Sequence, residues 1–142
     1  ANGFELKCAI KNDFKQDGFH CQRANIRVFW QEGMVEIPIV QKGYERFLDV
    51  YLGNEIIKGY QTDLSFLQQD ISDWQNISIQ SNGKEIKFYM NDDLIQTFDL
   101  ITEKSAIKGM KFIFHGSGSV KNIQLNNHLN KRIYQSNFNS PF

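Results

Sequence analysis

The chain has 142 residues but only two prolines, two cysteines and three histidines, and its 16 Lys and Arg balance 16 Asp and Glu. Each shortage excludes something. Without net charge the electrostatic footprint of a nucleic-acid binder is missing, so nucleic acid is not an expected partner. No run of about 18 apolar residues occurs, so no membrane-spanning helix is expected. No charged-then-apolar leader stands at the start, and a chain beginning at Ala1 in place of Met reads as a processed piece of a longer protein. Cys8 and Cys21 are too few for a disulfide framework and have no metal-ligand spacing. Cys8 shares a parity with Phe4, Leu6 and Ile10 and reads as a small buried hydrophobe, while Cys21 falls on a polar parity, so a bridge between them would require a bulge or another register. His20, His115 and His128 are scattered, with no companion at the spacing of a triad or a metal site. No catalytic residue, metal or cofactor is expected.

What is present is alternation. Phe4, Leu6, Cys8 and Ile10 alternate with Glu5, Lys7 and Ala9, and Ala24, Ile26, Val28 and Trp30 alternate with Arg23, Asn25 and Arg27. Period two marks strands with one dry face. Gly33 interrupts the run, and Val35, Ile37 and Ile39 resume it as a hairpin partner in which Pro38 calls for an edge position or a bulge. Residues 46–52 read as a further strand, with Leu48, Val50 and Leu52 on one face. Residues 53–73 read as a long connection with one helical turn at most, capped by Asp63.

After Trp74, Ile77 and Ile79 alternate up to Asn82-Gly83, and Ile86, Phe88 and Met90 alternate beyond it. Asn-Gly between alternating strands predicts a hairpin, because both residues tolerate positive φ. Asn91, Asp92 and Asp93 then turn the chain into residues 94–98, completing a three-stranded meander. Residues 107–114 and 120–125 read as a last pair across His115 to Gly118. Nine or ten short strands with almost no helix predict an all-β, antiparallel two-sheet jelly-roll sandwich over residues 1–125, followed by a loosely attached C-terminal tail over 126–142.

The stretch from Trp74 resembles the concanavalin A-like lectin and glucanase superfamily, in particular laminin G-like jelly rolls. The resemblance rests on Trp74, Ile77, Ile79, Asn82, Gly83, Ile86, Phe88, Tyr89 and Asn91, and on the closing strand Val120, Lys121, Asn122, Ile123 and Leu125 after Gly116, Ser117, Gly118 and Ser119. It covers about residues 74–125, and over 1–60 only the strand rhythm matches. It implies a module of surface or secreted proteins, including bacterial ones of the Bacteroidetes type. The paired acids of the glucanase members are missing: Glu32 and Glu36 lack a third acid, and Phe47 stands where the middle acid between Glu45 and Asp49 would sit.

Among candidate sites, Asp92 with Asp93 and Asp70 with Asp73 are more simply turn residues than a hydrolytic pair. Residues 116–119 look superficially like a phosphate loop, but no Lys-Ser/Thr and no helix follows. Aromatic faces on which sugar rings stack are the remaining candidates, and Tyr44, Tyr51, Tyr60 and Trp30 are the expected ligand-binding residues. Core packing is the plainer account of Trp30, and surface packing that of the tyrosines. Arg23, Asn25 and Arg27 form an outward polar stripe suited to meeting a carboxylate or a partner, with a solvated strand face as the plainer account. The expected function is a non-catalytic binding module of an extracellular, cell-surface or periplasmic protein, with a glycan or a protein as partner and carbohydrate favoured. A structural or protein-interaction ectodomain is the alternative, and a glycoside hydrolase-like enzyme is the third.

Overall fold

The computed structural model describes residues 3–13, 22–41, 45–100, 106–127, 129 and 131–136. Among them the chain forms eleven strands: β1 (Phe4–Asn12), β2 (Arg23–Trp30), β3 (Gly33–Val40), β4 (Asp49–Leu52), β5 (Glu55–Lys58), β6 (Gln75–Ser81), β7 (Glu85–Met90), β8 (Asp93–Asp99), β9 (Gly109–Phe114), β10 (Gly118–Asn127) and β11 (Arg132–Ser136). They make a six-stranded sheet in the order β11-β10-β1-β6-β7-β8 and a five-stranded sheet in the order β5-β4-β3-β2-β9. All strand pairs are antiparallel. The molecule is an all-β, two-sheet sandwich. No helix among the described residues is long and apolar enough to cross a membrane.

The predicted apolar parities become its core. Leu6, Ile10, Ile79 and Phe88 of one sheet and Ile26, Val28, Ile37 and Val50 of the other are fully buried in a single cluster. Each such side chain contributes about 1.5 to 3 kcal/mol by leaving water. This apolar interior is what fixes each strand's face, because slipping the register by one residue would turn a whole row outward.

Pro38 reconciles two roles. By order β3 lies between β2 and β4, yet β4 pairs only with Val35 and Glu36. At Pro38 the flank away from β2 is therefore beyond β4, and the missing N–H leaves no β4 ladder bond unmade.

Two turns exchange chemistry. Gly83 takes a φ of 90°, but Asn82 keeps a negative one and instead accepts the backbone N–H groups of Lys84 and Glu85 on its Oδ1 at 2.8 and 2.9 Å. The turn with two positive φ angles, 50° and 69°, is Asn91-Asp92, which joins Met90 to Asp93. Asn and Asp are the non-glycine residues that best tolerate this conformation. Asn91 is also anchored sideways: its Oδ1 accepts the Asn76 N–H at 2.9 Å and its Nδ2 donates to Gln75 at 2.7 Å.

Four sequence expectations are corrected. The strand read over 46–52 starts only at Asp49, because Glu45–Phe47 takes a 3-10 turn. Residues 107–114 and 120–125 do not pair: β9 joins β2 and β10 joins β1, so the chain crosses from one sheet to the other at residues 115–117. Gly118 makes the crossing tight, since a Cβ there would sit 2.1 Å from the Phe114 ring. Residues 53–73 contain a strand, β5, besides the 3-10 turn at Ser65–Leu67. The stretch 126–142 is not all tail: β10 continues to Asn127, and β11 pairs with it at the sheet edge. Both overlooked strands are edges held by backbone ladders more than by a dry face, so alternation did not mark them.

Cys8 is a free thiol, buried in the core. Cys21, His20 and His128 lie outside the described residues. Burial pushes the Cys8 thiol from 9.0 up to about 12. A proton held more tightly in the folded state leaves stability intact below pH 9.0 and erodes it as pH rises toward 12. The native protein is expected to lose about 1.4 kcal/mol more per pH unit above 9.0 than Cys8→Ala does. Urea titrations of both proteins between pH 8 and 10.5 check this, and parallel curves would contradict it.

Candidate functional site

The outward parity of the six-stranded sheet is polar and assembled across four strands. Register sets Lys7 of β1 opposite both Gln124 of β10 and Ser78 of β6, and Ser78 opposite Tyr89 of β7. The next row carries Glu5, Gln80 and Lys87. Between the Lys7–Gln124 and Ala9–Lys121 pairs, β10 places Asn122 and Ile123 against the single residue Cys8. This β-bulge has Asn122 at a φ of 55°. Bulges part a ladder locally and re-aim side chains, and they recur beside binding sites.

Here the bulge floors a groove of about 450 Å³, whose lining includes Lys7, Asn76, Ser78, Gln80, Tyr89 and Asn122, with Cys8 and Ile77 beneath. Trp74 adjoins the same face, and the Lys121 ammonium stands 4.1 Å from the centre of its ring. That cation–π contact holds the indole and the lysine together at one end of the row. Chemically the groove offers amides and hydroxyls that both donate and accept, one phenol, one cation and one carboxylate, Asp92.

Of the expected ligand-binding aromatics, Tyr51, Tyr60 and Trp30 do not line this groove. Tyr51 is half-buried on the outward face of the five-stranded sheet, opposite Glu36 and Ile56. Tyr60 follows β5, is 61% exposed and has Lys58 Nζ 5.9 Å from its ring centre. Trp30 is only 3% exposed and belongs to the core, its ring against Gly33, where a Cβ would lie 3.2 Å away. Its indole N–H has no hydrogen-bond partner among the described residues. Tyr44 lies outside the described residues. Tyr89 and the amide rows were legible as the polar half of the Ile77, Ile79 and Phe88 alternation, but alternation alone does not distinguish a groove from a wet surface.

The polar stripe of β2 is also more than a solvated face. Arg23 Nε donates to Asn25 Oδ1 at 3.0 Å, Asn25 Nδ2 donates to Glu36 Oε2 at 3.1 Å, and Arg27 Nε donates to Glu36 Oε1 at 2.7 Å. Glu36 is 5% exposed, and both of its carboxylate oxygens are engaged.

Asp63, Asp70 and Asp73 serve turns. The Asp70 carboxyl is held below the usual range by the Ser72 hydroxyl and then by the Ser72 N–H, and that of Asp63 by the Ser65 N–H and then its hydroxyl. Asp73 accepts the Trp74 N–H at 2.8 Å. Among the described residues, no three His, Cys, Asp or Glu side chains gather as a metal site.

Searched against models of known protein families and against curated proteins, the chain matches none.

Proposed function

We propose that this domain is a non-catalytic carbohydrate-binding module, part of a secreted or surface protein, that holds a glycan across the outward face of its six-stranded sheet. One observation carries the reading: a groove of about 450 Å³ that is lined by amide and hydroxyl side chains of β6 and β10, Asn76, Ser78, Gln80 and Asn122, together with Tyr89 of β7. Sugar hydroxyls need partners that both donate and accept, and sugar rings need an aromatic surface. A shallow site on regular strands suits a rigid ligand, because the side chains are positioned before it arrives. The resemblance of residues 74–125 to concanavalin A-like domains points the same way.

Isothermal calorimetry against neutral β-glucan, xylan and mannan oligosaccharides tests the proposal. Tyr89→Ala is expected to weaken binding by about 1 kcal/mol or more, roughly tenfold. Tyr60→Ala, remote from the groove, is expected to leave binding unchanged. Absence of binding to every oligosaccharide, or binding indifferent to Tyr89, overturns the reading.

A further inference from the structure

We infer that the outward face of the five-stranded sheet holds a second site, a carboxylate-binding cradle formed by Arg23, Arg27 and Lys111 that takes the uronate group of an acidic sugar. That the carboxylate is carried by a sugar rests on the proposed function; the anion site itself does not.

The cradle starts from strand pairing. Arg27 of β2 is directly opposite Lys111 of β9 on one side and Glu36 of β3 on the other, and Glu36 is in turn opposite Tyr51. One row therefore reads Lys111, Arg27, Glu36, Tyr51 across four strands. Arg23 lies on the same face of β2 and is drawn toward this row through Asn25, which binds Arg23 with its oxygen and Glu36 with its nitrogen. Three cations thus share the face with one carboxylate of the row, and that carboxylate is already spent on Arg27 and Asn25.

Like charges directly opposite each other on neighbouring strands destabilise a sheet. Arg27 and Lys111 are such a pair, in a chain whose total charge is zero. The geometry also leaves donors over. Both arginines are gripped through Nε, and among the described residues their Nη1 and Nη2 groups have no hydrogen-bond partner and Lys111 Nζ has no carboxylate within ion-pair distance. The Arg27 side chain is 28% exposed, so its free edge meets solvent while its root is fixed. A guanidinium edge with two parallel N–H donors matches the two oxygens of a planar carboxylate, and a guanidinium already immobilised loses less entropy on binding one. Tyr51, at the far end of the row, supplies a ring surface for the sugar that bears it.

The test uses the whole chain at low ionic strength. Oligogalacturonate, its methyl-esterified form, and a sulfated oligosaccharide of similar length are titrated by calorimetry, with sodium acetate followed by NMR at the Arg side-chain N–H signals. Arg23→Gln and Lys111→Gln are the variants of choice because they leave the Glu36–Arg27 pair in place. The expected result is binding of oligogalacturonate that falls at least tenfold in each variant and on esterification, with acetate shifting the same arginine signals. Binding that both variants retain, or esterified and free forms bound alike, overturns the site. Equal binding of the sulfated and uronate oligosaccharides overturns the carboxylate assignment. Acetate shifts at Arg23 and Arg27 without oligogalacturonate binding keep the anion site and overturn the sugar. Tyr89→Ala is expected to leave uronate binding intact, which separates this site from the groove on the other sheet.

Discussion

Phe88→Ala is expected to lower the unfolding free energy by about 3 to 5 kcal/mol, the cost of emptying a fully enclosed aromatic position. Phe88 sits on β7 in the middle of the β6-β7-β8 meander, opposite Ile79 and fully buried in the cluster between the sheets. An alanine there forfeits the transfer energy of the ring and leaves a void that the rigid strands on either side cannot collapse to fill. Against the roughly 5 to 15 kcal/mol that holds a typical domain together, this is a large share. The thermal midpoint should drop by about 10 to 15 °C. Urea unfolding measures the change, with Phe47→Ala as the contrast: that ring is 75% exposed and its loss should cost less than about 0.5 kcal/mol. Similar midpoints for the two variants would mean that the sheets do not pack face to face at Phe88.

Glu36→Ala is expected to cost about 3 kcal/mol, more than removing an exposed acid, because it leaves two donors stranded. Asn25 Nδ2 and Arg27 Nε lose their acceptors together, and Asn25 is itself buried. Arg27 reaches solvent with part of its side chain and recovers some hydration, which keeps the loss below that of a wholly enclosed pair. Glu36→Gln, which preserves shape and one acceptor, should cost about half as much. Denaturant titration of both variants against Glu5→Ala, a half-exposed acid on β1 of the other sheet, checks the order. Equal losses at Glu36 and Glu5 would show that the network is not an energetic unit.

Much of the sandwich was legible because burial imposes period two. Leu6, Ile26, Ile37, Ile79 and Phe88 announce their faces in the sequence, and each is buried as read. Two edge strands were not legible: Glu55–Lys58 contributes two adjacent isoleucines without alternation, and Arg132–Ser136 leaves Ile133 and Tyr134 exposed. Which strands lie side by side was lost at β9 and β10, since a short connection can close a hairpin or cross between sheets with the same turn residues. The Glu36 network was within reach. A two-residue turn at Gln31 and Glu32 pairs Trp30 with Gly33 and therefore Arg27 with Glu36, so counting outward from the hairpin would have joined the acid to its partners. The groove was less accessible, because it depends on an extra residue in β10 whose presence shows only in the pairing with β1.

The position of β1 carries a consequence for synthesis. The first strand lies in the interior of the six-stranded sheet, with β6 on one flank and β10 on the other. A ribosome delivers β1 long before either neighbour, so its two ladder edges stay unclaimed while most of the chain is still being made. Such distant pairings place the domain among slow folders, on the scale of milliseconds to seconds. Nascent Phe4–Asn12 is then the segment most in need of shielding, until β6 covers one flank and β10 the other.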